Sequence, residues 1–336
     1  MTIRSITIAL LTAVSMGTAS GAVAAEFELT YSTTYSPTHP YGQADEMWIQ
    51  RIEEQTNGRV KITPFWGGAL ISSREGIDEL NAGVADIAYI APIYATSGYD
   101  LNRLTPQFFY GYEDASKVLE VYLQLWEEYP QYAEELDGAQ VLGYNVGTPM
   151  HLMLREKPFT QLSDLEGLRI RSAVDYIGAL TAAGAEGVTM PMTETYPSLQ
   201  RGVLDDVIAP YEALKSLSFA EVIKYYSELP HSRGAYPSRA INAAAWSRLP
   251  EDIQQVFLDN IDFLTQKTYE LAQAAEDEGR AYGEQLGVQF NAVAPEVIAE
   301  YSAAFEPAAR ETAAQLDAKG LPGTEILDKI RAAIKN

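Results

Sequence analysis

Between residues 27 and 92 the hydrophobic period switches repeatedly between strand and helix, and few architectures accept that order. Residues 27–33 have strand composition and run into the turn-prone Ser36-Pro37-Thr38-His39-Pro40. Ala44, Met47, Trp48 and Ile52 then fall on one helical face, and Gly58 stops the helix. A strand over 60–65 closes at Gly67-Gly68, and a helix over 74–82 ends at Gly83. A buried-type strand over 86–90 is stopped by Pro92. Three such units in a row predict a mostly parallel sheet with helices on both faces.

The same grammar continues. A helix is predicted over 115–136 and a strand over 141–145, ending at Gly147-Thr148-Pro149. Pro158 and residues 162–167 read as loop, 168–171 as a short strand and 176–183 as a helix. A helix over 194–201 has Thr193 as its expected N-cap. Val207 and Ile208 open a strand that Pro210 ends. Pro250 starts a long amphipathic helix with Ile253, Val256, Phe257, Asn260, Ile261, Leu264, Thr268 and Leu271 on its inner face, reaching about Leu286. That length suits a brace lying across two lobes. There is no internal repeat and no low-complexity linker, so strands that cross between the lobes are expected to join them.

The chain has 336 residues, more than one core usually serves even without its first 25. Those 25 read as a cleavable signal peptide. Arg4 charges a short leading segment, 6–14 form an apolar run too brief to span a bilayer, and Ser20-Gly21-Ala22-Val23-Ala24-Ala25 supplies the small residues before Glu26. The sequence contains no cysteine, which excludes a lipid anchor at that site and leaves stability to packing without disulfides. A free periplasmic protein is expected. With 46 acidic against 24 basic residues and a net charge of −22, neither nucleic acid nor an anionic membrane suits it as a partner.

The catalytic inventory is thin. There is no cysteine nucleophile, G-x-S-x-G elbow, H-E-x-x-H helix or Walker loop, and His39, His151 and His231 lie far apart in the sequence. No enzyme or cofactor is expected, and Asp175, Glu194, Asp205 and Asp206 make a cation conceivable although no spacing among them specifies a metal site. Arg171 is the leading site candidate. In Leu168-Arg169-Ile170-Arg171-Ser172, period two puts Leu168 and Ile170 on one face and both arginines on the other, with Arg171 at the carboxyl end. Ligands of open α/β sheets bind outside those ends, and a guanidinium there offers bidentate hydrogen bonds to a carboxylate. From the residues alone, a pairing of Arg171 with Asp164 or Asp175 is an equal alternative.

From Thr38-His39-Pro40 to Leu249-Pro250-Glu251 the chain resembles the substrate-binding subunits of tripartite ATP-independent periplasmic (TRAP) transporters. The matching segments are 54–62 (EQTNGRVKI), 83–88 (GVADIA), 105–109 (TPQFF), 164–171 (DLEGLRIR) and 190–205 (MPMTETYPSLQRGVLD), followed by His231 and 246–250 (WSRLP). Segment 164–171 is the most specific of them. The resemblance implies an α/β, two-lobed periplasmic binding protein fold with a ligand cleft between lobes and a long bracing C-terminal helix. It implies lobe I over 26–148 plus about 235–276, and lobe II over 149–234 plus about 277–336. It further implies that Arg171 clamps a carboxylate, and that the partners are a small organic acid and the small and large integral membrane subunits, which use an ion gradient.

Two departures shape the expected ligand. Many relatives have an Asn reaching the ligand where this chain has Ala209, within Asp205-Asp206-Val207-Ile208-Ala209-Pro210. Many also carry a second arginine near Met150-His151-Leu152, which here contains none; His151 either substitutes as a donor or is a strand residue facing solvent. Both favour one anionic head group on a less polar body over a dicarboxylate. Tyrosine supplies an apolar face and a hydroxyl, which suits such a body. Tyr35, Tyr89, Tyr94, Tyr176, Tyr211 and Tyr236 are therefore candidates, together with Asn145 and Met192. The competing expectations are a sulfonate or zwitterionic osmolyte in the same cleft, or a periplasmic lyase or hydrolase on the same fold.

Overall fold

The computed structural model describes residues 25–334 apart from 96, 113, 174 and 175. The expected signal peptide therefore lies outside the described residues, save Ala25. Two sheets form the centres of two lobes. The first has the order β2 (Val60–Phe65), β1 (Phe27–Ser32), β3 (Ile87–Tyr89), β10 (Ala235–Asn242), β4 (Ala139–Val146). The second has the order β11 (Gln289–Ala292), β9 (Tyr225–His231), β5 (Met150–Leu154), β8 (Asp206–Ala209), β6 (Arg169–Ser172), β7 (Glu186–Thr189).

The expectation of a mostly parallel sheet holds only locally. β1 runs parallel to β2 and β3, as three βα units require, but β10 enters between β3 and β4 antiparallel to both. In the second sheet β6 is parallel to β7 and β8, whereas β5 is antiparallel to β8 and β9. Strands that arrive from the other lobe enter from the opposite end, and this reverses their direction. The chain crosses between the sheets at 147–149, leading from β4 to β5, and at 232–234, leading from β9 to β10.

Three helix predictions need correction. The helix expected over 115–136 stops at Glu128, because Tyr129 precedes Pro130 and is held extended; a single turn Gln131–Glu134 follows. Thr193 caps no helix: it lies within the turn Met192–Glu194 that leads straight into Thr195–Gln200. The long helix from Pro250 is two helices, Glu251–Leu258 and Ile261–Gln285. Buried Asn260 separates them. It donates to Val256 O (2.7 Å) and Gln55 Oε1 (2.6 Å) and accepts from Arg51 Nε (2.5 Å), which pins the break to helix Pro40–Gln55.

The 25-residue helix Ile261–Gln285 connects the lobes. Leu264 packs into the first lobe with Trp48, Leu142 and Ile241, while Gly279 and Gly283 pack against Tyr211–Leu214 and Phe290 of the second. A Cβ at Gly279 would lie 2.1 Å from Tyr211 O, so only glycine permits this approach. From the same helix, Glu276 accepts from Thr148 Oγ1 (2.7 Å) at one crossing and from Tyr211 N (3.0 Å) in the second lobe. Of residues 277–336, expected with lobe II, the described 277–334 divide between the lobes. Tyr301 and Phe305 pack on Leu180 and Phe159, whereas Ala313, Leu316, Leu327 and Ile330 pack on Leu101, Phe108 and Tyr122 of the first lobe.

Candidate functional site

Period two works in β6 as the sequence indicates. Ile170 enters the core of the second lobe, half-exposed Arg169 forms a bidentate pair with Asp205 (2.9 Å for both bonds), and Arg171 ends the strand at the cleft. Arg171 is only 2% exposed. Its Nε donates to Met190 O (2.7 Å), Nη2 to Tyr94 Oη (2.9 Å) and Nη1 weakly to Ile208 O (3.5 Å). The Tyr94 bond spans the lobes. These contacts occupy three of the five N–H groups of a guanidinium, leaving the two that a carboxylate takes as bidentate acceptor. Among the described residues no carboxylate lies within 4 Å of Arg171: Asp164 instead pairs with Lys157 (3.2 Å) and accepts from Thr160. Asp175, the other acid weighed as its partner, lies outside the described residues.

Arg171 opens onto a compact cavity between the lobes, with about 410 Å³ of atom-free space, part of it continuous with solvent. Of the sequence candidates, Tyr94, Tyr176 and Met192 line it with Arg171. Tyr176 also donates its hydroxyl to Ser232 O at the crossing. Ile93, Met150 and Ile208 extend the apolar wall, so the cavity has one strongly polar end and a mainly hydrophobic body.

Tyr35, Tyr89, Tyr236 and Asn145 stand behind this wall in the first lobe. The rings of Tyr35 and Tyr89 meet edge to face (5.2 Å) and Tyr41 joins them, while Asn145 Nδ2 donates to Tyr236 Oη (2.6 Å). These four are buried and do not line the cavity; Tyr35, Tyr89 and Tyr236 pack with Tyr94, which does, and Asn145 joins them through Tyr236.

His151 and Tyr211 are not brought to the cavity, contrary to expectation. β5 sends Met150 to the cavity, whereas His151 packs its ring against Tyr211 (5.6 Å) and Tyr226 (5.5 Å). Tyr211 stacks on Tyr226 (4.1 Å) and donates to Glu228 Oε1 (2.8 Å). The other histidines have structural settings too. Nδ1 of His231 donates to Leu229 O and its Nε2 accepts from Tyr301 Oη, each at 2.8 Å; burial lowers its pKa to about 3 and keeps it neutral. His39 caps helix Pro40–Gln55 by accepting from Tyr41 N (3.1 Å), and burial, reinforced by Arg233 and Arg239, lowers it to about 3.

The sequence reading missed Arg233. It lies at the second crossing, lines the cavity and is 8% exposed, with its guanidinium over the Tyr41 ring (5.5 Å). Burial opposes its charge, but Tyr41, Tyr236, Tyr35 and Glu212 favour it and keep it cationic. No hydrogen bond or ion pair within 4 Å engages it among the described residues, and Nη1 is buried without a partner. The cavity wall thus holds a second arginine, on a segment distant in sequence from 150–152. The available signal was an Arg-Gly pair at a lobe crossing, close to Gly147 at the other crossing.

The family model of bacterial extracellular solute-binding proteins, family 7 (DctP), matches residues 31–316. A solute-binding protein of Roseobacter denitrificans is 25% identical over 316 residues, covering 90% of this chain and 91% of its own. A TRAP periplasmic solute-binding protein from Bordetella bronchiseptica, solved with bound (R)- and (S)-mandelate, superimposes with a TM-score of 0.79 at 24% identity, covering 92% of this chain and 98% of its own. A marine metagenome TRAP solute-binding protein described as specific for aromatic acids, solved with 3-hydroxybenzoate, gives a TM-score of 0.82 at 20% identity, covering 93% and 99%. With the two-lobed fold and the cleft between its sheets, these matches make the chain a receptor and not an enzyme: it belongs to family 7 of the bacterial extracellular solute-binding proteins, the DctP family of TRAP transporter receptors.

Proposed function

We propose that the protein captures a small monocarboxylate with a partly apolar or aromatic body, using Arg171 as the clamp. The observation that carries this reading is a 2%-exposed guanidinium with two free N–H groups, no carboxylate partner among the described residues, and a mainly apolar cavity in front of it. A buried cation is costly to leave unpaired, and an incoming carboxylate neutralises it with two charge-assisted hydrogen bonds. Tyr94 Oη already reaches Arg171 from the opposite lobe, so a ligand held there touches both lobes and favours their closure. Mandelate and 3-hydroxybenzoate, bound by structural neighbours, are acids of this shape. Family membership supports export to the periplasm and delivery to ion-gradient-driven membrane subunits.

The test is thermal unfolding and calorimetric titration of the chain lacking residues 1–25, against aromatic and aliphatic monocarboxylates, dicarboxylates, sulfonates and zwitterions. One monocarboxylate is expected to raise the midpoint by mass action. Arg171→Ala should lose about 2–5 kcal/mol of that binding and keep its fold. Undiminished affinity in Arg171→Ala would remove the clamp, and a response confined to sulfonates or zwitterions would replace the ligand class.

A further inference from the structure

Arg233 is a buried cation that a carboxylate held by Arg171 does not use. Its place is built into the fold. A Cβ on Gly147 would lie 2.0 Å from Arg233 Cδ, so the glycine at one crossing makes room for the arginine at the other. Tyr41 covers one face of the guanidinium, and Nη1 is buried without an acceptor. Since Arg233 and Arg171 line the same compact cavity, an acceptor for Arg233 has to lie close to the carboxylate on Arg171.

Resting on the proposed clamp, we infer that Arg233 sets specificity by receiving a second, uncharged oxygen of the ligand: the 2-hydroxyl or 2-oxo group of a 2-substituted monocarboxylic acid. Charge decides between this oxygen and a second carboxylate. Glu212 is buried near Arg233; burial pushes its carboxyl pKa up, while Arg233 and the Ser216 hydroxyl pull it back toward the charged form, and no pair within 4 Å forms. Glu212 also accepts from Ser216 Oγ and lies 3.8 Å from His39 Nε2. A second ligand carboxylate would meet this acidic neighbour in a buried space, whereas a hydroxyl or ketone oxygen supplies the missing acceptor and adds no charge. A site built around a buried donor discriminates against analogues that lack the acceptor, because binding them leaves the donor unsatisfied.

Four acids with one phenyl body test this by titration calorimetry: mandelate, benzoylformate, phenylacetate and phenylmalonate. The parent protein should bind the first two about ten- to hundred-fold more tightly than phenylacetate, the range of one hydrogen bond to a charged donor. Phenylmalonate should bind more weakly than mandelate. Arg233→Met should erase the preference for mandelate over phenylacetate, weakening mandelate by the larger factor. Gly147→Ala, which displaces Arg233 but keeps its charge, should do the same and serves as the second variant if Arg233→Met folds poorly. Arg171→Met should abolish binding of all four. Equal affinity of the parent for mandelate and phenylacetate, tighter binding of phenylmalonate, or a preference that survives both the Arg233 and Gly147 changes overturns the inference and leaves the clamp standing. Binding of none of the acids overturns the clamp reading, and this inference with it.

Discussion

Arg239 and Arg171 are both buried strand arginines, and they differ in what answers their charge. Arg239, on β10 of the first lobe, and Asp45, on helix Pro40–Gln55, are each 0% exposed; Arg239 Nε donates to Asp45 Oδ1 (2.9 Å), and Nη2 lies 2.8 Å from the same oxygen. Tyr31 Oη donates to Asp45 Oδ2 (2.6 Å), and the guanidinium lies over the Tyr89 ring (5.0 Å). Burial pushes the Asp45 pKa up, while Arg239 and Tyr31 pull it down and support the charged form. Arg171 has carbonyl and phenol acceptors but no anion within 4 Å among the described residues. The fold neutralises the first arginine itself and leaves the second open to an anion from outside. Burial alone does not separate a structural arginine from a binding one; the inventory of partners does.

The harshest challenge to that comparison removes the counter-ion of Arg239. Asp45→Ala strands a fully buried guanidinium and should destabilise the protein by about 3–5 kcal/mol in denaturant unfolding. A loss under 1 kcal/mol would mean the pair does not hold the first lobe.

A buried carboxylate supplies the pH counterpart. Asp206, on β8 and 3% exposed, has one oxygen on Arg155 N (3.1 Å) and the other buried without a partner among the described residues. Burial raises its pKa from 3.8 to about 7, against the pull of the Arg155 amide. Between about pH 4 and 7 the folded chain therefore holds a proton that the unfolded chain has released, and stability from this group falls as pH rises through that window. Asp206→Asn should flatten the pH dependence by about 4 kcal/mol across the window, read as the difference between the two unfolding curves. Parallel curves would show that Asp206 does not titrate there.

Next in size is stabilisation by ligand. A clamped monocarboxylate at about a hundred times its Kd should add about 2.7 kcal/mol to the unfolding free energy of the parent protein. It should add nothing to Arg171→Met, and an equal gain in both would place the acid elsewhere.

The smallest expected effect sharpens the contrast from the other side. Without ligand, Arg171→Met should change stability by no more than about 1 kcal/mol, because it removes a buried charge that no anion offsets. A loss as large as that of Asp45→Ala would make Arg171 a structural residue.

Much of this arrangement was written in local pattern. The alternation at 27–92 reads directly onto β1, β2 and β3, and period two in 168–172 places Arg171 at a strand end in the cleft. The early end of helix Ala115–Glu128 was readable as well, since Pro130 restricts the residue before it. The break at Asn260 was not, because its cause is hydrogen bonding to Arg51 and Gln55 of another helix. His151 and Tyr211 were misplaced for a related reason: residue type and proximity to a strand end do not say which face of the sheet a neighbouring ring draws the side chain toward.

By itself the sequence determined the βα grammar, the strand end that carries Arg171 and the family motifs, all properties of short contiguous stretches whose periodicity and turn residues act locally. Only the tertiary structure decided that β10 returns antiparallel into the first sheet, that Asp45 neutralises Arg239 while Arg171 stays without an anion, and that Gly147 opens the space Arg233 fills. These outcomes depend on segments far apart in the chain meeting at the lobe crossings, where distance, burial and the presence or absence of a counter-ion assign each charged side chain its part.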